Sequence, residues 1–150
     1  MYNVYRKLIP QVLAEASALT NPDDVVRYLR ANNTLTLRAF LTYILDTRFR
    51  FDVAVPSYKV SQLPEGHHIS TLFVEGRRLY VFTAGNKTPM RRKTEILRQI
   101  LEIMDPKESQ LIEDIITRTA ASKYPSLSVD LVNKAFPKLI PVAKTANGAL

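Results

Sequence analysis

The chain has 150 residues, 46% of them hydrophobic, with a formal charge of +7 and no cysteine. That length suits one domain with a single core, and the missing thiols exclude disulfides, thiolate zinc sites, Fe–S clusters and cysteine nucleophiles. No apolar run reaches the length of a membrane span, and the start lacks the continuous apolar stretch of a secretory signal, so a cytoplasmic protein without a membrane role is expected.

Taken in order, Val4, Tyr5, Leu8, Ile9, Val12, Leu13 and Ala16 recur at helical spacing, with Pro10 marking either a kink or the true start. Asn21, Pro22, Asp23 and Asp24 form a capped start for a second helix carrying Val25, Val26 and Leu29, closed by Asn32-Asn33. A third helix is predicted from Leu35 to about Thr47, with Leu37, Phe40, Leu41, Ile44 and Leu45 facing inward. Residues 48–66 contain Pro56 and Pro64 and no helical period, which predicts a loop with room for one short strand. Ile69–Val74 and Leu79–Ala84 are rich in β-branched and aromatic residues. With Glu75-Gly76-Arg77-Arg78 between them, they predict a β-hairpin.

Beyond it, Thr88-Pro89 suits the cap and first turn of a helix through Met104, with Ile96, Leu97, Ile100, Leu101 and Met104 on one face. A further helix follows at once, carrying Leu111, Ile112, Ile115 and Ile116. Asp105 is its cap and Pro106 its first residue, while Glu108 stands at the third position, where its carboxylate can reach back to the cap's N–H. A last helix is predicted from Ser128 to Ala135, ended by Pro137. The expected class is mainly α: a single-domain bundle of about six helices over residues 1–141, with one small β-hairpin near the middle and a flexible tail over 142–150.

The positive charge is unevenly placed. Residues 1–50 carry seven basic and four acidic groups, residues 51–100 eight and four, and residues 101–150 six and six. Arg77, Arg78, Lys87, Arg91, Arg92 and Lys93 follow one another with no intervening acid. A hairpin would put Arg77-Arg78 at its tip, roughly 20 Å from the others at about 3.3 Å per residue, giving a long stripe or two sites. Arg91, Arg92 and Lys93 also oppose the dipole of the helix they open, a placement that suggests a negatively charged partner. Arg48-Phe49-Arg50-Phe51 alternates cation and ring. Extended and exposed, it could hold phosphates and stack bases; the simpler reading puts the rings in the core and the arginines in water.

Other patterns carry less. Ala84-Gly85-Asn86-Lys87-Thr88 resembles the end of a phosphate loop but lacks its glycines. The adjacent His67 and His68 would point to opposite faces of a strand and could not chelate one ion. Asp23-Asp24 suits helix capping and Glu113-Asp114 a solvated helix face. There is no GxSxG, HExxH or paired GxGxxG. No cofactor, metal or catalytic residue is expected.

Several stretches carry a resemblance. These are Leu37-Arg38 through Asp52-Val53, the step at Val55-Pro56 with Tyr58, Arg78 through Phe82, Arg92 through Glu113 with Met104-Asp105-Pro106, and Ser128 through Pro141. Over about two thirds of its length the chain resembles a family of uncharacterised proteins of tailed phages, marine cyanophages among them. The resemblance implies a phage origin and a host-cytoplasm location, and nothing catalytic.

The expected function is therefore a non-catalytic phage accessory protein. It would bind nucleic acid or a nucleoprotein machine, in replication or transcription, through Arg77, Arg78, Lys87, Arg91, Arg92 and Lys93, with Arg48 and Arg50. The alternative is a protein–protein adaptor or inhibitor acting on a host or virion protein. An enzyme would need a deep pocket gathering several of Asp46, Asp52, Glu65, His67, His68 and Arg78.

Overall fold

The computed structural model describes residues 7–141. The helices are α1 (Ile9–Ala18), α2 (Pro22–Ala31), α3 (Leu35–Leu45), α4 (Leu72–Glu75), α5 (Met90–Glu102), α6 (Pro106–Ile116), α7 (Ala120–Lys123) and α8 (Val129–Ala135), with a 3₁₀ segment over Gly76–Phe82. The six longer helices correspond to the six expected from periodicity; α4 and α7 are additional single turns. Pro10 opens α1 rather than kinking it, and its ring occupies a position where an N–H would have no partner. Val4 and Tyr5 of the expected stripe, and the expected tail over 142–150, lie outside the described residues.

The predicted β-hairpin is not formed. Its first strand is replaced by α4 and its second by the 3₁₀ segment, and among the described residues the β pairing is a single antiparallel bridge, Phe51 to Thr83. The reason lies in which side chains are buried. Gly76, Leu79 and Phe82 repeat every three residues, one 3₁₀ turn; Leu79 and Phe82 are buried, and a Cβ on Gly76 would stand 3.2 Å from the buried Phe40 ring. Val81 and Tyr80 favour strands, but this inward stripe on α3 decides the conformation.

One apolar core takes residues from every longer helix, including Leu13, Leu29, Phe40, Leu97, Ile112 and Val132. Asn21, Thr34, Asp105 and Ser128 cap their helices by accepting backbone N–H groups. Arg30 on α2 holds α8 by its other end: its Nη2 donates to the Lys134 carbonyl at 2.7 Å and its Nε to that of Ala135 at 3.2 Å. Those carbonyls have no partner within the helix, and a cation there also answers the dipole.

After α6 the chain leaves through a Schellman turn. The Thr119 N–H donates to the Asp114 carbonyl and the Arg118 N–H to that of Ile115, with Arg118 at φ 64°. A non-glycine residue is tolerated there because the Arg118 guanidinium donates to the Phe49 carbonyl at 2.7 Å, tying the turn to the segment before Arg50.

Between Asp52 and Thr71 the chain has no regular structure, yet α5 and α6 hold it along its length. The Tyr58 hydroxyl donates to Glu113, and the Lys59 N–H to Glu102 at 2.9 Å. His68 is buried between Ser61, 2.9 Å from its Nδ1, and Asp105, 3.6 Å from its Nε2. The Ser70 N–H donates to the Ile103 carbonyl and the Leu72 N–H to Glu108 at 2.7 Å. Carboxylates on two helices thus replace a second strand as partners for this strap.

Candidate nucleic-acid interface

The bridge between Phe51 and Thr83 is the part of the fold that gathers cations. The Asp52 N–H donates to the Phe82 carbonyl and the Ala84 N–H to the Arg50 carbonyl, both at 2.7 Å. Arg50 therefore lies across from Ala84, three residues before Lys87 and seven before Arg91. Phe49 and Phe51 turn inward and meet Tyr43 edge-on, with ring centroids 5.2 and 5.5 Å away. The rings of the Arg48–Phe51 stretch are packing groups, and base stacking does not fall to them. With those rings inward, Arg50 is left in solvent.

The eight cations singled out from the sequence divide by their surroundings. Arg50, Arg77, Lys87 and Arg91 are exposed, and among the described residues their side chains have no ion pair or hydrogen bond. Arg92 makes a loose, exposed pair with Glu95 at 3.8 Å, of a kind that contributes little to stability. Arg48 grips the buried Asp46 through both oxygens, at 3.1 and 3.0 Å. That contact lowers the Asp46 carboxyl and raises the guanidinium. Arg78 is held at 3.0 Å by the buried Glu75, whose other oxygen accepts the Ser70 hydroxyl at 2.6 Å. Lys93 is 2% exposed and packs inward with Leu97, Ile100 and Leu101. The described surface thus presents Arg50, Arg77, Lys87, Arg91 and Arg92 from this set. One acid, the exposed Asp52, stands two residues from Arg50.

The expected cap of α5 also differs. The cap position falls on Pro89, which has no side chain to offer, so the first N–H groups of α5 lack a side-chain acceptor where Arg91 and Arg92 begin. Free N–H groups and unopposed cations together favour an anion at this end of the helix.

Glu108 departs most from its expected role. Its Oε2 accepts the Leu72 N–H from the strap, and its Oε1, fully buried, has no partner; the Asp105 N–H favours the ionised form without reaching hydrogen-bonding geometry. Burial, reinforced by the Asp105 carboxylate, lifts the Glu108 carboxyl to about 7. At the far end of α1, Glu15 is pulled down to about 2 by Lys7 and the Tyr28 hydroxyl. Glu113, expected on a solvated face, holds Tyr58, whose phenol is raised by burial and further by this hydrogen bond.

The six residues named from the sequence as an enzyme's candidates do not gather in one pocket. A cleft of about 510 Å³ between α1 and α6 has Glu65 on its wall, but not Asp46, Asp52, His67, His68 or Arg78. Asp46 instead lines two smaller hollows of about 180 and 370 Å³. Among the described residues no cluster of three or more His, Asp and Glu could hold a metal ion, and no helix is long and apolar enough to cross a membrane.

The geometry defines a helical domain with a cationic edge built around one bridge. Compared with known proteins, the chain matches no family model and no curated sequence.

Proposed function

We propose that the protein is a non-catalytic nucleic-acid-binding module, holding phosphates on the edge formed by Arg50, Lys87, Arg91 and Arg92 with Arg77 beyond it. One observation carries this: the backbone bond from Ala84 to Arg50 joins two cationic segments distant in sequence, and four of the five cations are unpaired. Such a grouping costs repulsion, and a polyanion relieves it by releasing its condensed counterions. The resemblance to tailed-phage proteins supports a phage accessory role in the host cytoplasm, on replication or transcription complexes. Leu35 and Ile69, each 74% exposed, favour the second reading, an adaptor or inhibitor docking on a host or virion protein.

The test is binding of a fluorescent oligonucleotide as salt is varied. Tight binding at low salt that weakens steeply is expected. The combined variant Arg50→Gln, Lys87→Gln, Arg91→Gln should lower the slope of log K against log salt by about 2 to 3. Binding that is absent, or indifferent to salt, refutes the reading. Capture of a protein partner that survives nuclease would then favour the adaptor.

A further inference from the structure

The outward side of α4 and the 3₁₀ segment repeats with the same period as its inward stripe. Val74, Arg77 and Tyr80 follow at intervals of three and are all exposed, and side chains three apart eclipse one another in a 3₁₀ turn. Arg77 and Tyr80 are therefore neighbours on one ridge, about 6 Å apart along the axis at roughly 2 Å per residue. Tyr80 is 62% exposed, and among the described residues no other Phe or Tyr stands with the exposed large hydrophobic side chains. Several of the other described rings are engaged within the fold. Phe40, Tyr43, Phe49 and Phe51 pack together, while the Tyr28 and Tyr58 hydroxyls hold carboxylates.

The backbone beneath Tyr80 is fixed. Its carbonyl accepts from the Thr83 N–H at 3.2 Å and from the Thr83 hydroxyl at 2.6 Å, and its neighbours Leu79 and Phe82 are 2% and 0% exposed. Thr83 is the residue that bridges to Phe51, so Tyr80 lies three residues before the point where the backbone pairs with the Arg50 segment. A large exposed ring on a hydrogen-bonded turn, next to Arg77 on the ridge and on the segment that pairs with that of Arg50, combines the two parts of a single-strand site: a stacking surface and cations along the backbone path.

We infer that Tyr80 stacks on an unpaired base and that the ridge takes single-stranded nucleic acid in preference to duplex. The inference rests on the nucleic-acid reading above and narrows its ligand. Bases in a duplex present their faces to one another and leave none for Tyr80, whereas phosphates are available in both forms.

The experiment measures anisotropy of a labelled oligothymidylate and of a labelled duplex with the full chain and with Tyr80→Ala and Tyr80→Phe. Circular dichroism first establishes that each variant keeps its helices. The single strand should bind more tightly than the duplex. Tyr80→Ala should weaken it about tenfold at an unchanged salt slope and leave the duplex unaffected, and Tyr80→Phe should retain the affinity. Equal binding of single strand and duplex, or no loss with Tyr80→Ala, overturns the stacking role. If neutralising Arg50, Lys87 and Arg91 still weakens binding in that case, the cationic reading stands alone. Failure of both nucleic acids to bind overturns the two readings together.

Discussion

Replacing Glu108 with glutamine should raise stability at alkaline pH and not at acid pH. The carboxyl titrates at about 7 in the folded chain against 4.5 as its ordinary value. A group raised on folding adds stability that is complete below about pH 4.5 and is lost as pH climbs through about 7. The gap of about 2.5 pH units corresponds to roughly 3 kcal/mol at 1.36 kcal/mol for each. Glutamine keeps an oxygen for the Leu72 N–H and cannot ionise, but it places an amide donor where Oε1 had no partner, at a cost of about 1 kcal/mol. The variant should therefore lead the parent by about 2 kcal/mol near pH 8.5 and trail it by about 1 near pH 4.

Urea denaturation at both pH values measures this directly, and taking the difference between the two proteins cancels the titration of every other group. In melting temperature, 2 kcal/mol is about 6 °C for a chain of this length. An advantage that is the same at both pH values would refute the reasoning, since it would mean that Glu108 does not change protonation between them. Destabilisation at pH 8.5 would do so too.

Arg30→Met should cost about 1 to 2 kcal/mol in chemical denaturation, because the Lys134 and Ala135 carbonyls lose their donor while the aliphatic stem is kept. A loss no larger than that of Arg27→Met, whose pair with Asp24 is exposed, would show that the α2–α8 tie is unimportant. Asp52→Asn removes the acid nearest to Arg50 in the sequence and should tighten nucleic-acid binding about twofold at low salt, with the gain fading as salt rises; weaker binding would place the ligand elsewhere.

Most of the helical framework could be read from the residues. Asn21-Pro22 and Asp105-Pro106 announce their helices because a capping side chain and a proline act within one turn, and the 3.6-residue stripes mark the faces that meet the core. The stretch from Leu72 to Phe82 misled because its composition favours strands, although Leu72, Glu75, Leu79 and Phe82 already stand at helical spacing. Burial of that face, with Gly76 letting the chain approach Phe40, outweighs the propensity of Val81 and Tyr80.

The site was legible only in part. Lys93 shares a stripe with Leu97 and Ile100, which signals that it turns inward. Asp46 before Arg48, and Glu75 before Arg78, are close enough in the chain to suggest ion pairs. The pairing of the Arg50 segment with that of Ala84, three residues before Lys87, has no local signal, since it joins residues far apart in the chain. Glu108 reads as serving its own helix start because nothing nearby in the sequence shows that the Leu72 amide arrives from outside.

The Phe51–Thr83 bridge has a consequence for when the cationic edge exists. It closes a loop of about thirty residues, whose closure entropy must be met by contacts along the strap. Local opening of the strap would part Arg50 from Lys87 while leaving α1, α2 and α8 in place. Such an opening is a sub-global equilibrium, and the exchange of the Asp52 and Ala84 amide protons, which bond across the bridge, would report it.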